Sequence, residues 1–132
     1  MQESAQGSPL KAEIRSFIQE MGEAYAVADL AVCRSGANTV AELAVKGLPA
    51  ILVPFPYAAH GHQEANARSL ERVGAVEVIL DRDLDGARLA VAVRRLVTDE
   101  GRLAQMGRAS KNWGRPDAGE RIVDAVMTLG LR

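Results

Sequence analysis

Short apolar segments alternate with helical patterns through the middle of the chain. Three segments predict strands, because each is compact, rich in branched side chains and bounded by Gly, Pro or polar residues; they are residues 30–33, 50–54 and 76–80. Their apolar character is largely continuous rather than alternating, which is typical of strands buried on both faces. The pattern therefore predicts an α/β fold, with a parallel sheet covered by helices.

Apolar positions at helical spacing predict three helices around these strands. The first runs over residues 21–29, and the second contains Leu43 and ends at Gly47. The third spans residues 62–73, with Gly74 as its C-cap. Strands and helices thus follow one another as a doubly wound sheet requires.

Three further helices are predicted to close the chain. The last of them should have Pro116 in its first turn, where a missing N–H is tolerated. Its inward stripe is predicted to be Ile122, Val126 and Leu129. Trp113 fits either packing under this helix or an exposed contact surface.

The beginning of the chain has a different character. Residues 1–9 are polar and rich in Ser, Gln and Gly, so they predict a flexible lead-in to a single domain over residues 10–132. Alternating residues around Ile14 then predict a short additional strand.

Composition narrows the class of protein. A chain of 132 residues with 48% hydrophobic and 25% charged residues is typical of one soluble globular domain. The net charge of −1 and the lack of a basic block argue against a nucleic-acid partner. Cys33 is the single cysteine, so no internal disulfide can form and a reducing compartment is expected. No apolar run approaches the ~20 residues that span a bilayer, which predicts a cytoplasmic protein.

Small residues fill the loop after the first of the three predicted strands. Residues 34–39 read RSGANT and stand at a strand-to-helix junction, where α/β sheets bind ligands. Gly36 lets a ligand approach the main chain, and the N–H groups that begin the next helix would face a phosphate. Ser35 and Thr39 offer hydroxyl donors. These residues fit a phosphate-binding loop and an ordinary turn equally well.

Glu42 has two interpretations. Thr39 and Glu42 have the spacing of a capping box, in which the glutamate folds back onto the start of its own helix. Alternatively, the Glu42 carboxylate accepts two hydrogen bonds from a ribose diol, as acidic residues do in nucleotide sites. The spacing by itself favours the cap.

A polar loop follows the next predicted strand, where residues 53–66 read VPFPYAAHGHQEAN. Gln63 carries donors and acceptors suited to sugar hydroxyls, and Asn66 either does the same or bonds local backbone. His62 either contacts a ligand or caps the helix. A metal site is not expected here, because His60 and His62 are the only histidines and no cysteine is near.

The segment Asp81-Arg82-Asp83 matches the D-x-D pattern that holds a divalent ion and a diphosphate in some glycosyltransferases. It stands just before a predicted amphipathic helix, where Asp residues commonly cap. We therefore predict a capping role for this segment and no metal site.

The two loops together carry a family resemblance. Residues 28–56 read ADLAVCRSGANTVAELAVKGLPAILVPFP and residues 62–67 read HQEANA. In this order and spacing they resemble the MurG family, glycosyltransferase family 28, from about Ile14 onward. The resemblance implies a partial Rossmann-like domain, the C-terminal domain of a GT-B enzyme. It also implies a hexosyltransferase that moves N-acetylglucosamine from UDP-GlcNAc to undecaprenyl-linked muramoyl-pentapeptide in peptidoglycan synthesis, without a metal or other cofactor.

The resemblance also implies roles for residues. The backbone of Ile18 would meet the uracil, with Met21 as an apolar neighbour, and Glu42 would hold the ribose hydroxyls, which reverses the preference for the cap. Gln63, with His62, would reach the sugar. Ala37, Asn38 and Thr39 would line the diphosphate. The remaining expected substrate-binding residues are Ser35, Gly36 and Asn66.

The resemblance implies a family with an N-terminal domain, and we expect that domain to lie outside this sequence. By the resemblance, that domain binds the lipid acceptor, faces the inner side of the membrane and supplies the catalytic base, so this chain alone is expected to be inactive. Two alternatives stay open: a donor-binding subunit of a two-chain glycosyltransferase, and a non-catalytic nucleotide-binding scaffold. In the usual strand order 3-2-1-4-5-6, the strand near Ile14 would either pair with residues 30–33 or leave a sheet edge open.

Overall fold

The computed structural model describes residues 9–130, so the predicted lead-in lies almost wholly outside the described residues. The strands are β1 (Ala31–Cys33), β2 (Ala50–Leu52) and β3 (Val76–Val78). The α-helices are α1 (Met21–Val27), α2 (Ala37–Lys46), α3 (His62–Arg72), α4 (Gly86–Val97), α5 (Glu100–Trp113) and α6 (Ala118–Gly130). Short 3-10 turns lie at Ala59–Gly61 and Asp81–Asp83. Among the helices described, none is long and apolar enough to cross a bilayer.

The three strands form a parallel sheet in the order β1-β2-β3, which confirms the predicted fold class. Ala31 lies opposite Ala50, and Ala50 lies opposite Val76, so the carboxyl ends of all three strands reach the same edge of the sheet. The central strand β2 is fully buried, because helices cover both of its faces.

Two apolar clusters occupy the two faces of the sheet. On one face, Leu52 packs with Leu43 of α2 and Leu70 of α3. On the other face, Ile51 packs with Leu96 of α4 and Met106 of α5. Adjacent residues of β2 point to opposite faces, since side chains alternate along a strand. Trp113 packs against the first cluster, rather than under α6 or on an exposed contact surface.

Helices α2 and α5 approach each other at glycines. Gly47 ends α2 in the left-handed conformation with φ of 68° and donates its N–H to the carbonyl oxygen of Ala44. A Cβ on Gly107 would lie 2.8 Å from the Gly47 carbonyl oxygen, and one on Gly114 would lie 3.0 Å from the Ala44 backbone. The backbones of the two helices can therefore lie this close only because neither Gly107 nor Gly114 carries a side chain.

The strand predicted near Ile14 is wrong. Residues 10–20 form no strand, and the Ile14 and Phe17 side chains are 61% and 76% exposed. A strand needs a neighbour for its backbone hydrogen bonds, and within the described residues β1 pairs only with β2. The outer edge of β1 is therefore open, as one of the two alternatives expected.

The prediction for the last helix is also wrong in two respects. Every residue of α6 is exposed, including the predicted stripe residue Ile122 at 64% and its partners Val126 and Leu129. An apolar stripe is buried only where another element packs on it, and no described element covers α6. Pro116 lies in the turn before the helix, because α6 begins at Ala118.

Candidate functional site

The two loops selected from the sequence meet at the carboxyl edge of the sheet. β1 continues into residues 34–36 and then α2, while β2 continues into residues 53–61 and then α3. Because β1 and β2 are adjacent and parallel, the two loops leave the sheet side by side. The Val53 N–H donates to the Cys33 carbonyl oxygen at 2.9 Å and extends the pairing into the loops.

The start of α2 presents backbone N–H groups without a side-chain cap. Gly36 is the N-cap, and no side chain of the described residues accepts a hydrogen bond there. The first helical bond is from the Val40 N–H to the Gly36 carbonyl oxygen at 3.0 Å. The amides of residues 37–39 precede that bond and belong to the unsatisfied first turn of a helix. They add to the positive end of the helix dipole, which favours an anion.

Ser35 faces inward, unlike the expected hydroxyl donor to a ligand. It is fully buried. Its hydroxyl donates to the Gln63 backbone carbonyl at 2.7 Å, and its N–H donates to Gln63 Oε1 at 3.2 Å. Its carbonyl accepts from Asn66 Nδ2 at 3.0 Å. Ser35 therefore joins the two loops. Asn66 donates to the backbone of the first loop and not, as one alternative expected, to backbone near itself.

Gln63 has a fixed side-chain orientation. Its Oε1 accepts the N–H groups of Ser35 and of Phe55, the latter at 3.0 Å. Two donors on one oxygen assign the amide unambiguously, so Nε2 is the other end. Nε2 lies 4.0 Å from where a Cβ on Gly36 would stand, with Thr39 Oγ1 at 3.9 Å from the same point. The missing side chain of Gly36 leaves room between these two polar atoms.

Glu42 is not part of a capping box. α2 begins at Ala37, so Thr39 is the third helical residue and Glu42 lies in the second turn, where it is exposed. The interpretation that the spacing favoured is therefore wrong. The pattern misled because the glycine N-cap stands three residues earlier than the threonine that resembles a cap.

An open cleft of about 510 Å³ lies between α1 and α2. Its walls include Met21 and Tyr25 from α1, and Glu42 and Lys46 from α2. Ile18 is half-buried and lines an adjoining groove, which shares Gln19 and Glu20 with the cleft. The structure thus brings together the residues expected to contact uracil and ribose.

Tyr25 was not selected from the sequence as a site residue. Its ring packs against the first apolar cluster, and its side chain also lines the cleft with Glu42. Burial raises the pKa of Tyr25, and hydrogen bonding to Glu42 and the negative charges of Glu42 and Cys33 raise it further. The helical spacing of Tyr25 signalled only a core position.

The two histidines lie at the start of α3. Their rings touch edge to face, with centroids 5.8 Å apart, and both side chains are exposed. His60 has φ of 54°, and Gly61 beside it, also left-handed, is the N-cap of α3. His62 is the first residue of α3, and no side chain caps that helix among the described residues. Over residues 9–130, no group of three or more His, Cys, Asp or Glu side chains could hold a metal.

Arg34 was missed by the sequence reasoning, and it connects the ends of the three strands. It follows β1 and donates to the Val53 carbonyl at 3.2 Å and to Asp81 Oδ1 at 2.6 Å, just beyond β3. Its guanidinium also lies 5.6 Å from the centroid of the Phe55 ring. Asp81 is thus an ion-pair partner, while the cap of α4 is Asp85, which accepts the Arg88 N–H at 2.7 Å. The capping role predicted for Asp81 and Asp83 is therefore wrong by a few residues.

Known proteins resemble this chain in sequence and in structure. Residues 1–122 match the profile of the glycosyltransferase family 28 C-terminal domain. A protein of Thermodesulfovibrio yellowstonii is 46% identical over 119 residues, covering 90% of this chain and 32% of that protein. A protein of Anaeromyxobacter sp. (strain Fw109-5) is 50% identical over 120 residues, covering 91% of this chain and 32% of its own length. Both are named UDP-N-acetylglucosamine--N-acetylmuramyl-(pentapeptide) pyrophosphoryl-undecaprenol N-acetylglucosamine transferase.

The crystal structure of Acinetobacter baumannii MurG superposes with a TM-score of 0.80 and 31% sequence identity. The superposition covers 88% of this chain and 33% of the MurG chain. This chain therefore spans about a third of the length of the relatives that it matches.

Proposed function

This chain belongs to the glycosyltransferase family 28 C-terminal domain family, and we propose on that basis that it binds the nucleotide-sugar donor of an N-acetylglucosaminyltransferase. The donor is UDP-GlcNAc, the one that the names of its relatives contain. The observation that carries the proposal is the uncapped start of α2, which stands beside the cleft that contains Glu42.

The diphosphate of the donor binds at the first turn of α2. The amides of Ala37, Asn38 and Thr39 are directed out of the helix start, and several such N–H groups are what a phosphate needs. Gly36 permits close approach, and Thr39 Oγ1 stands beside the same space. Ser35 supports this turn from inside through its bonds to Gln63 rather than by touching the ligand.

The nucleoside occupies the cleft between α1 and α2. Glu42 accepts hydrogen bonds from the two ribose hydroxyls, since an exposed carboxylate has several free acceptor positions. Met21 lies against the base as an apolar wall, and the backbone near Ile18 completes the base site in the adjoining groove. This arrangement needs about one turn of α2 between phosphate and ribose, which is the distance along the helix from Thr39 to Glu42.

The sugar lies over the second loop. Gln63 Nε2 is a donor held in place by the two bonds on its Oε1, and it is directed toward Gly36 and thus toward the diphosphate site. His62 begins α3 next to Gln63 and offers a second polar group. Asn66 acts indirectly, because its amide holds the Ser35 carbonyl.

Catalysis by the complete enzyme would use this site to position the donor and to stabilise the departing diphosphate at the helix start. The lipid-linked acceptor and the base that activates its hydroxyl belong to the other two thirds of the relatives' length or to a partner chain at the membrane. The proposal needs no metal ion, so the affinity for UDP-GlcNAc should be equal with and without a chelator.

Calorimetric titration with UDP-GlcNAc tests the proposal, with Glu42→Ala as the variant and Glu120→Ala, an exposed glutamate of α6, as the matched control. Loss of a charged hydrogen bond costs about 1.5–3 kcal/mol, so Glu42→Ala should weaken binding about 10- to 150-fold. Its free energy of unfolding should change by no more than about 0.5 kcal/mol, since Glu42 caps nothing. Folded wild-type protein that releases no heat at millimolar ligand would favour a non-catalytic scaffold instead.

A further inference from the structure

Tyr25 and Glu42 line the same cleft from two different helices. Tyr25 lies on α1 and Glu42 on α2, and both line the same space. The Tyr25 ring is anchored, because it packs against the apolar cluster that contains Leu43 and Leu70. Tyr25 therefore borders the cleft that also contains Glu42 with a side chain that has little freedom to move.

Glu42 needs such a restraint. It is exposed in the middle of α2, and an unrestrained glutamate samples many rotamers that a ligand would have to suppress on binding. Lys46 follows one turn later and lines the same cleft, at the spacing at which helical side chains of opposite charge attract each other. A donor fixed in the core would hold the carboxylate in one orientation before the ligand arrives, which improves affinity by preorganisation.

Chemistry assigns the direction of a hydrogen bond between these two side chains. An ionised carboxylate only accepts, so the phenol donates. The pKa of Tyr25 is raised, first by burial and then by Glu42 and Cys33, which keeps its proton in place throughout the neutral range. One phenol uses one of about four acceptor positions on the carboxylate, which leaves enough for a ribose diol.

We propose that Tyr25 is a positioning residue for nucleotide recognition. Its hydroxyl orients the Glu42 carboxylate toward the cleft, and this oriented carboxylate binds the ribose hydroxyls. The inference rests on the proposed function, since it assumes that Glu42 contacts the ribose. Tyr25 itself touches no reacting atom.

The test compares the affinities for UDP and 2′-deoxy-UDP, measured by calorimetry. Wild type should prefer UDP, and Glu42→Ala should bring the ratio of the two dissociation constants close to one. Tyr25→Phe keeps the ring and its packing and removes only the hydroxyl, so it should reduce the ratio about three- to tenfold with a melting temperature close to that of wild type. In the Glu42→Ala background, Tyr25→Phe should change the ratio no further. Tyr57→Phe is the matched control, because the Tyr57 side chain is 85% exposed and does not line the cleft.

The outcomes separate the two proposals. If Tyr25→Phe keeps the wild-type ratio, or weakens UDP and 2′-deoxy-UDP equally while Glu42→Ala removes the preference, the role of Tyr25 is refuted and the donor site stands. If wild type binds neither nucleotide, or Glu42→Ala retains the preference, the proposed site fails and the inference fails with it.

A second measurement is independent of ligand binding. The chain has two tyrosines, so Tyr57→Phe leaves Tyr25 as the only phenol, whose ionisation is followed by ultraviolet absorbance. Adding Glu42→Ala should lower the pKa of Tyr25, because both an acceptor and a negative charge are removed. An unchanged titration would show that the two side chains do not interact and would overturn the inference.

Discussion

Replacing Gln63 with alanine should destabilise the whole domain, although Gln63 is expected to contact a sugar. Gln63 Oε1 accepts the N–H groups of Ser35 and Phe55 at 3.2 and 3.0 Å. Ser35 is fully buried, so its amide would lose its acceptor out of reach of water, at a cost of about 1–3 kcal/mol. The Phe55 amide is closer to solvent, and losing its bond costs about 0.5–1.5 kcal/mol. The free energy of unfolding should therefore fall by about 1.5–4.5 kcal/mol.

Gln63→Glu separates this structural role from ligand contact. A carboxylate keeps an oxygen in the place of Oε1 and accepts both amide hydrogen bonds, but it lacks the Nε2 donor. Its melting temperature should stay within about 3 °C of wild type. The alanine variant should melt about 6–18 °C lower, at roughly 4 °C per kcal/mol for a domain of this size. The glutamate variant should still bind UDP-GlcNAc more weakly, because a negative charge replaces a donor beside the diphosphate.

Urea denaturation measures these differences, and the single tryptophan, Trp113, reports on the core against which it packs. Gln105→Ala, an exposed glutamine of α5, is the matched control and should lie close to wild type. The reasoning is refuted if Gln63→Ala unfolds at the same urea concentration as Gln105→Ala. It is equally refuted if Gln63→Glu is as unstable as Gln63→Ala, since the accepting oxygen would then be irrelevant.

Two further predictions concern the core. Gly107→Ala would place a Cβ 2.8 Å from the Gly47 carbonyl oxygen and should lower the free energy of unfolding by about 1–2 kcal/mol, although alanine has the better helix propensity. Gly101→Ala in the same helix is the control and should be neutral or stabilising, because its Cβ would have no contact closer than 3.5 Å. Equal stabilities of the two variants in urea would contradict this prediction. Burial raises the pKa of Cys33, so the thiol should react with iodoacetamide at mildly alkaline pH more slowly in the folded chain than in denaturant. Because the folded pKa exceeds the unfolded one, Cys33 contributes stability that is lost as pH rises, and Cys33→Ala should flatten the stability profile on the alkaline side; a folded thiol as reactive as the unfolded one would contradict the prediction.

Much of the fold was predictable because it depends on local spacing. The strand segments were recognisable from compact apolar runs, and the end of α2 from Gly47, whose φ of 68° suits glycine. Two of the predictions that were wrong, a strand near Ile14 and a buried stripe on α6, assumed partners that no periodic pattern reveals. An apolar pattern states which side of an element avoids water, but burial requires another surface to be present.

The candidate site divides in the same way. The order and spacing of its two loops identified the family, and the pairing of β1 with β2 places the two loops side by side. The tertiary structure joins residues that are far apart in the chain: the inward turn of Ser35 bonds it to Gln63, Arg34 pairs with Asp81, and Tyr25 and Glu42 line one cleft.

The sequence by itself determined the class of fold, the positions of the strands that carry the site and the family, since each follows from short-range periodicity or from the order of nearby motifs. Only the tertiary structure decided which polar groups of the two loops bond other parts of the protein and which do not. That choice depends on hydrogen-bond distances between segments that packing brings together, as when Gln63 satisfies the Ser35 amide and the helix start at Ala37 stays free of any side-chain cap.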